Sequence, residues 1–427
     1  MILGESLDAV ARVKYAGGVR QPLYDTWCFS RLPASVQHAL LGDSLAEALP
    51  AVFWKAIKAP VDEVILFYVD AFGWDQYLRH LPTSPFLKRF ESEGVIAQLT
   101  SEFPSTTAAH MTTMHTGLTP VQSGIFEWFY FEPAADAVIA PLPFSYAGDK
   151  QSETLRAAGL DAGVLLKGAT FYEQLAANGV ASRLYFDARI ARSTYSQAMN
   201  AGATAVPYRT FAEMLTRLER ERSMIQGPAY HFVYFDPVDT LSHDFGPGSP
   251  EVAAEIRAFW LLLENLFEPA MQRQGRRTLV LIASDHGQIA VDPACPIYLN
   301  ERVPKIGPLL RTSRAGKPIV PGGSPRDFFI YVRDGALDEA EATLKNELGE
   351  IADVRRTSEL VAQGVFGPGK PHPKFRDRIG DLVILGRGNG TVWWHEPGRF
   401  ELTKLGRHGG SSREEIEIPL LAMVVGP

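Results

Sequence analysis

Cysteine is scarce in this chain of 427 residues, with only Cys28 and Cys295. Two thiols so far apart cannot build a disulfide framework, and a zinc knuckle needs more of them, so both are read as ordinary thiols. A basic excess is also missing, since 42 Lys and Arg stand against 49 Asp and Glu, a formal charge of −7. A general nucleic-acid binder would show a basic face, so sequence-specific nucleic-acid binding is excluded, whereas a nucleotide-sized substrate is not. No apolar run approaches the length that spans a bilayer. The opening MILGESLDAV carries Glu5 and Asp8 where a signal peptide would have a basic region before an apolar core. The expectation is a soluble, cytoplasmic protein with no membrane partner. Neither an internal repeat nor a low-complexity tract is present.

Apolar residues make up 46% of the chain and charged residues 21%, ordinary values for a globular protein. The length suits one large α/β domain with an inserted lobe. Four short, continuous apolar runs read as buried strands: VILFYVD at 64–70, HFVYFD at 231–236, LVLIASD at 279–285 and IPLLAMVV at 418–425. Helical stretches lie between them, one opening on Ser249-Pro250, a cap followed by a first-turn proline. Strands alternating with helices predict a doubly wound, mostly parallel sheet with helices on both faces. Ligands of such sheets bind outside the carboxyl ends of the strands. Asp70, Asp285 and Asp236 end three of these runs, and Asp239 lies just beyond Asp236.

Residues 1–55 lack clean periodicity and are read as an extension packed on the core. Residues 56–290 with 400–427 are expected to form the catalytic core. Between them, 291–399 reads as a smaller α+β lobe, with a strand in FFIYV, a helix in LDEAEATLKNELG and a strand in DLVIL.

The chemistry concentrates in a few places. Asp239 and His243, four apart, can face one way on a helical turn and share a metal, although such a pair also occurs as an ordinary surface hydrogen bond. In SDHG, Asp285 and His286 sit at a buried strand end, where they are costly unless paired, and Gly287 is expected to permit a sharp turn. RHGG adds His408, with flexible glycines behind it and the capping pattern Ser412-x-x-Glu415 after it. In FPSTTAAHMTTMHTG, Thr106 and Thr107 precede a predicted helix whose first N–H groups favour an anion or alkoxide. Either threonine could instead cap that helix, and position alone does not choose between them. Together the three carboxylates, three imidazoles and one threonine oxygen suit two divalent ions with positions left open for substrate.

The order Asp70, FPSTT before a helix ending in TG, D-x-x-x-H-x-x-GP, SDHG and HGG resembles the alkaline phosphatase superfamily. Within it the chain is most similar to the type I phosphodiesterase/nucleotide pyrophosphatase branch. The resemblance runs from Asp70 to His408 and implies an alkaline phosphatase-like fold. It also implies a metal-dependent hydrolase acting on a small phosphorylated or nucleotide-like substrate. Laid on the family pattern, the nucleophile falls on Thr107. One metal would be held by Asp70, Thr107, Asp285 and His286, and the other by Asp239, His243 and His408, about 4 Å away. Zinc is the first expectation, with manganese or iron as alternatives. The reaction implied passes through a covalent phosphothreonine-type intermediate.

Two positions depart from the pattern, and one is Ser105, which stands in place of the family's first threonine. Where the family's phosphodiesterases often carry an asparagine, this chain has Trp128, beside Glu127. Trp128 is therefore a candidate substrate contact, although Phe126, Trp128, Phe129 and Tyr130 together also read as core. A phosphomonoesterase, a phosphonate hydrolase, a phosphomutase and a catalytically silent metal binder remain the alternatives. No Cys or Ser stands in the C/S-x-P-x-R context that marks sulfatases. His110, His115, Asp236, Asp244, Lys150 and Lys167 are read as packing or surface residues.

Overall fold

The computed structural model describes residues 1–42, 46–165, 168–271 and 275–426, so Lys167 lies outside the described residues. The strands used below are, in chain order, β1 Glu63–Val69, β2 Val95–Thr100, β3 Ala181–Asp187, β4 Thr204–Tyr208, β5 Ala229–Phe235 and β6 Thr278–Ala283. They continue with β7 Gly322–Ser324, β8 Asp327–Ile330, β9 Ala352–Arg356, β10 Leu382–Gly386 and β11 Glu417–Val425. A seven-stranded sheet runs in the order β2-β11-β6-β1-β5-β3-β4. In it β1 pairs in parallel with β5 and β6, Glu63 lying opposite both Ala229 and Thr278. The strand carrying Asp70 is therefore flanked by the strands that lead to Asp239 and to Asp285.

The apolar runs are continuous because both faces of the sheet are covered. Side chains alternate along β1. Ile65, Phe67 and Val69 pack with Phe211, Met214, Ile256 and Phe259 of the helices Phe211–Met224 and Pro250–Leu262. Val64, Leu66 and Tyr68 pack on the other face with Val36, Met111, Met114 and Phe171, contributed by the helices Leu32–Leu41, Thr107–Thr116 and Phe171–Ala177. A fully buried Phe or Leu contributes about 1.5–3 kcal/mol, so a strand of seven buried residues anchors the site's framework firmly. Leu3, Trp27 and Phe29 of the N-terminal segment are buried in the same core as Leu66.

One strand differs from expectation. IPLLAMVV, read as one of the parallel runs, forms most of β11, which runs antiparallel to both β6 and β2. Burial on both faces dictates an apolar run but carries no information about direction. The chain arrives from His408 at the carboxyl edge of the sheet, and a short connection from that edge can only send the next strand away from it.

The four strands β7-β8-β10-β9 form a separate antiparallel sheet. The helix Leu337–Leu348 packs on it through Ala340, Leu344 and Leu348, against Phe328 and Ile330. A three-stranded sheet over Tyr130–Glu132, Ala137–Ala140 and Ser145–Tyr146, not foreseen from sequence, lends Phe131 and Val138 to that core. No helix among the described residues is long and apolar enough to cross a membrane.

Candidate active site

The carboxyl ends of β1, β5 and β6 converge. Asp70 follows β1 directly. Asp239 and His243 lie in the helix Pro237–Phe245 that follows β5, and Asp285 and His286 follow β6. The loop before β11 delivers His408. Thr107 is the first residue of the helix Thr107–Thr116, reached from the end of β2.

Thr107 Oγ1 lies 3.2 Å from His286 Nε2 and 3.4 and 3.5 Å from the two carboxylate oxygens of Asp70. His286 Nε2 is also 3.4 Å from Asp70 and 3.3 Å from Asp285. Asp239 Oδ1 is 3.5 Å from His243 Nε2 and 3.7 Å from His408 Nε2. The two groups meet where the rings of His286 and His408 stack, 3.8 Å apart. All seven residues singled out in the sequence as ligands are thus brought together. Thr106 takes the capping position of the helix without making a capping bond.

Each histidine is oriented by a backbone carbonyl. Nδ1 of His243 donates to Gly406 O at 2.8 Å, that of His286 to Gly287 O at 3.1 Å and that of His408 to Ser105 O at 2.9 Å. A carbonyl only accepts, so Nδ1 carries the proton and each neutral ring turns a bare Nε2 lone pair inward. Histidines that bind metals are held in this way.

Electrostatics point in the same direction. Burial, then the neighbouring carboxylates of Asp285 and Asp239, push the Asp70 carboxyl well above its ordinary range. Burial also raises Asp285. Burial opposes ionisation of Asp239 as well, but His243, His408 and His286 together outweigh it and lower its pKa. Burial holds His286 well below its usual value, with His408 adding to the effect. Asp285 Oδ2 is buried without a hydrogen-bond partner. Clustered, buried carboxylates with an orphaned oxygen and three inward lone pairs form a donor set that fits divalent cations. Asp70, Asp285 and His286 form one group of converging ligand atoms, and Asp239, His286 and His408 form another.

Several contributors were not legible as motifs. The Tyr234 hydroxyl donates to Asp70 Oδ2 at 2.5 Å, and Gln288 Nε2 donates to Asp239 Oδ1. Tyr234 was visible only as a polar letter inside an apolar strand. Ala71 N donates to Asp285 Oδ1 at 3.1 Å from a left-handed backbone, φ 60°, which costs a residue with a Cβ about 1–2 kcal/mol. His110 fixes the loop before the helix, donating from Nδ1 to Thr106 O and accepting from Glu102 N, both at 2.8 Å. Glu127 is buried against Asp327, and burial raises both carboxyls, Glu127 to about 8.

Two expectations change. Gly287 has no left-handed φ. It is needed for space, because a Cβ there would meet Glu414 O at 2.1 Å. The aromatic cluster divides, with Phe126 and Tyr130 buried in the core and Trp128 39% exposed beside Thr107.

The sequence profile described as Type I phosphodiesterase / nucleotide pyrophosphatase matches residues 64–411. The chain belongs to this family. It is a hydrolase of phosphoric esters, and metal dependence accords with its donor set. Among solved structures, murine ectonucleotide pyrophosphatase/phosphodiesterase 5 is similar at 20% identity, with 85% of this chain and 88% of that chain covered and a TM-score of 0.62. An inactive form of the murine protein in complex with AMP gives 20% identity, coverage of 86% and 88% and a TM-score of 0.61. Phosphonoacetate hydrolase from Sinorhizobium meliloti 1021, in complex with phosphonoacetate, gives 19% identity, coverage of 85% and 90% and a TM-score of 0.60. These likenesses establish the shared fold. A comparison with curated protein sequences finds no match.

Proposed function

We propose that this member of the family is a two-metal phosphodiesterase or nucleotide pyrophosphatase that acts through Thr107. The observation that carries the reading is the place of Thr107 Oγ1, 3.2 Å from His286 Nε2 and within 3.5 Å of both Asp70 oxygens. One cation would be held by Asp70, Thr107, Asp285 and His286, and a second by Asp239, His243 and His408, with zinc the metal best suited to this mixed set. Bound there, the cations would favour the Thr107 alkoxide and offset charge on the phosphoryl and leaving oxygens.

Thr107 Oγ1 attacks phosphorus in line with the leaving oxygen. The hydroxyl gives up its proton, the Oγ1–P bond forms and the ester P–O bond breaks, which leaves a phosphothreonine-type diester still carrying the second substituent and a leaving alkoxide that takes up a proton. Water then attacks the same phosphorus, the Oγ1–P bond breaks and Thr107 is regenerated. Two inversions give net retention at phosphorus. The backbone-held histidines keep their positions through both steps, which is the preorganisation such chemistry needs.

The test is metal analysis combined with rates on bis-p-nitrophenyl phosphate for wild type, Thr107→Ala and Thr106→Ala. Thr107→Ala is expected to lose activity by at least about a thousand-fold while retaining part of its metal. Thr106→Ala is expected to keep most of its rate. Wild-type rates in Thr107→Ala would overturn the assignment. A second reading, hydrolysis of a monoester or phosphonate, is favoured by Trp128 standing where related phosphodiesterases carry an asparagine. Faster turnover of p-nitrophenyl phosphate than of the diester would select it.

A further inference from the structure

Two hollows open onto Thr107 and Asp239, and Trp128 lines both. The first, about 330 Å³, is lined by Phe129, Trp393 and Phe400 together with Arg399 and Arg407. The second, about 490 Å³, has buried apolar walls from Met111, Phe186 and Tyr195, with Arg156 and Arg192 exposed on its rim. A phosphodiester carries two substituents on one phosphorus, and the site offers one hollow for each.

The second hollow has a distinct charge pattern. Its acids other than the proposed metal ligands are already engaged. Glu153 accepts from Thr194 N at 2.8 Å and from Thr194 Oγ1 at 2.5 Å. Asp236 lies 3.8 Å from Arg189, which is itself bonded to Asp187 at 2.8 and 3.2 Å. Arg156 and Arg192, by contrast, have no side-chain hydrogen bond or ion pair among the described residues. Their segments are nonetheless fixed to each other. Glu153, three residues before Arg156, bonds Thr194, two residues after Arg192, and does so from a left-handed backbone, φ 69°. A residue with a Cβ adopts that conformation only where its surroundings hold it there. The result is two unneutralised guanidiniums on one rim, above an apolar floor that leads to Thr107.

We infer that this second hollow binds a substrate substituent ending in an anion, a phosphate or a carboxylate, with Arg156 and Arg192 as the residues that select it. Guanidinium forks match both anions with paired N–H donors. The apolar walls take the carbon chain between that anion and the scissile phosphorus. The inference rests on the phosphodiesterase reading and names the substrate class of the same site.

The experiment uses three p-nitrophenyl phosphodiesters of similar length. Their second substituents are butyl, 4-hydroxybutyrate and 1,3-propanediol monophosphate. The quantity read is kcat/KM for each anionic ester divided by that for the butyl ester, in wild type and in Arg156→Ala/Arg192→Ala. The ratio is expected to fall about ten-fold or more in the double variant. It should also fall in wild type as salt is raised. A larger effect on the phosphate arm or on the carboxylate arm identifies the preferred anion. An unchanged ratio on both arms overturns the inference. If wild type cleaves none of the three, the catalytic reading fails separately. Calorimetric binding of 1,3-propanediol monophosphate to the metal-free protein then decides the present point. Affinity weakened about ten-fold in the double variant supports it, and equal affinity overturns it.

Discussion

Arg326 and Glu415 form a buried two-point ion pair, Nε to Oε1 at 2.9 Å and Nη2 to Oε2 at 3.0 Å. It joins the hairpin of β7 and β8 to the loop that carries His408, because Glu415 also accepts from Gly410 N and Ser412 N. Glu415→Ala would leave a guanidinium buried without its counter-charge, a change that costs about 3–5 kcal/mol. Thermal unfolding of the variant is expected to shift down accordingly. The paired replacement Arg326→Met with Glu415→Leu should restore much of that stability, yet still bind metal poorly, because Gly410 and Ser412 have lost their acceptor. Full metal content in the paired variant would show that the loop is held by other means.

Tyr234→Phe removes one hydroxyl, the donor to Asp70. The ring is buried and its shape is kept, so the fold should persist. Loss of an outer partner of a ligand typically weakens metal binding by about 10–100-fold. Competition against a chelator measures this, and unaltered affinity would argue that Asp70 is oriented by its backbone alone.

Glu102 offers a pH test away from the proposed ligands. Burial raises its carboxyl from an ordinary 4.5 to about 8, with the Thr113 side chain opposing the rise only in part. Between those values the folded chain keeps a proton that the unfolded chain gives up. The folded form binds more protons, so stability falls as pH rises through the window. Glu102→Gln should flatten part of the decline in melting temperature between about pH 4.5 and 8. Glu127, also raised to about 8, leaves some slope behind. Identical slopes in wild type and variant would count against the assignment.

Gly287→Ala places a methyl group 2.1 Å from Glu414 O and 3.2 Å from Gly73 Cα. Both obstacles are backbone, so the strand end must move. Overpacking of this kind costs about 1–3 kcal/mol, and here it displaces His286. Lower melting temperature together with reduced metal content is the expected result. A variant that melts normally and fills with metal would mean that the two glycine turns can separate freely.

Much of the site was readable because its parts are local. An acid that ends a buried apolar run falls at the carboxyl end of a strand, and this placed Asp70 and Asp285 at one edge of the sheet once their strands paired in parallel. A four-residue spacing put Asp239 and His243 on one helical face. The unreadable parts depend on partners far apart in the chain. Nothing in the neighbourhood of Arg326 announces Glu415, and nothing near Gln288 announces Asp239. The direction of β11 was hidden for a different reason, since burial erases the polar alternation that would have distinguished one environment from another. Thr107 was separated from Thr106 by the family pattern, and Thr107 Oγ1 lies within 3.5 Å of Asp70 and His286.

The position of β11 ties assembly to competence. This strand alone bridges β2, the edge strand that leads to Thr107, and β6, which leads to Asp285 and His286. It also begins nine residues after His408. Detaching 417–425 would therefore split the sheet and leave an imidazole unplaced at the same moment. Loosening one strand would thus cost the fold and the proposed centre together, so stability and metal affinity are expected to fall in step in any variant that weakens its pairing.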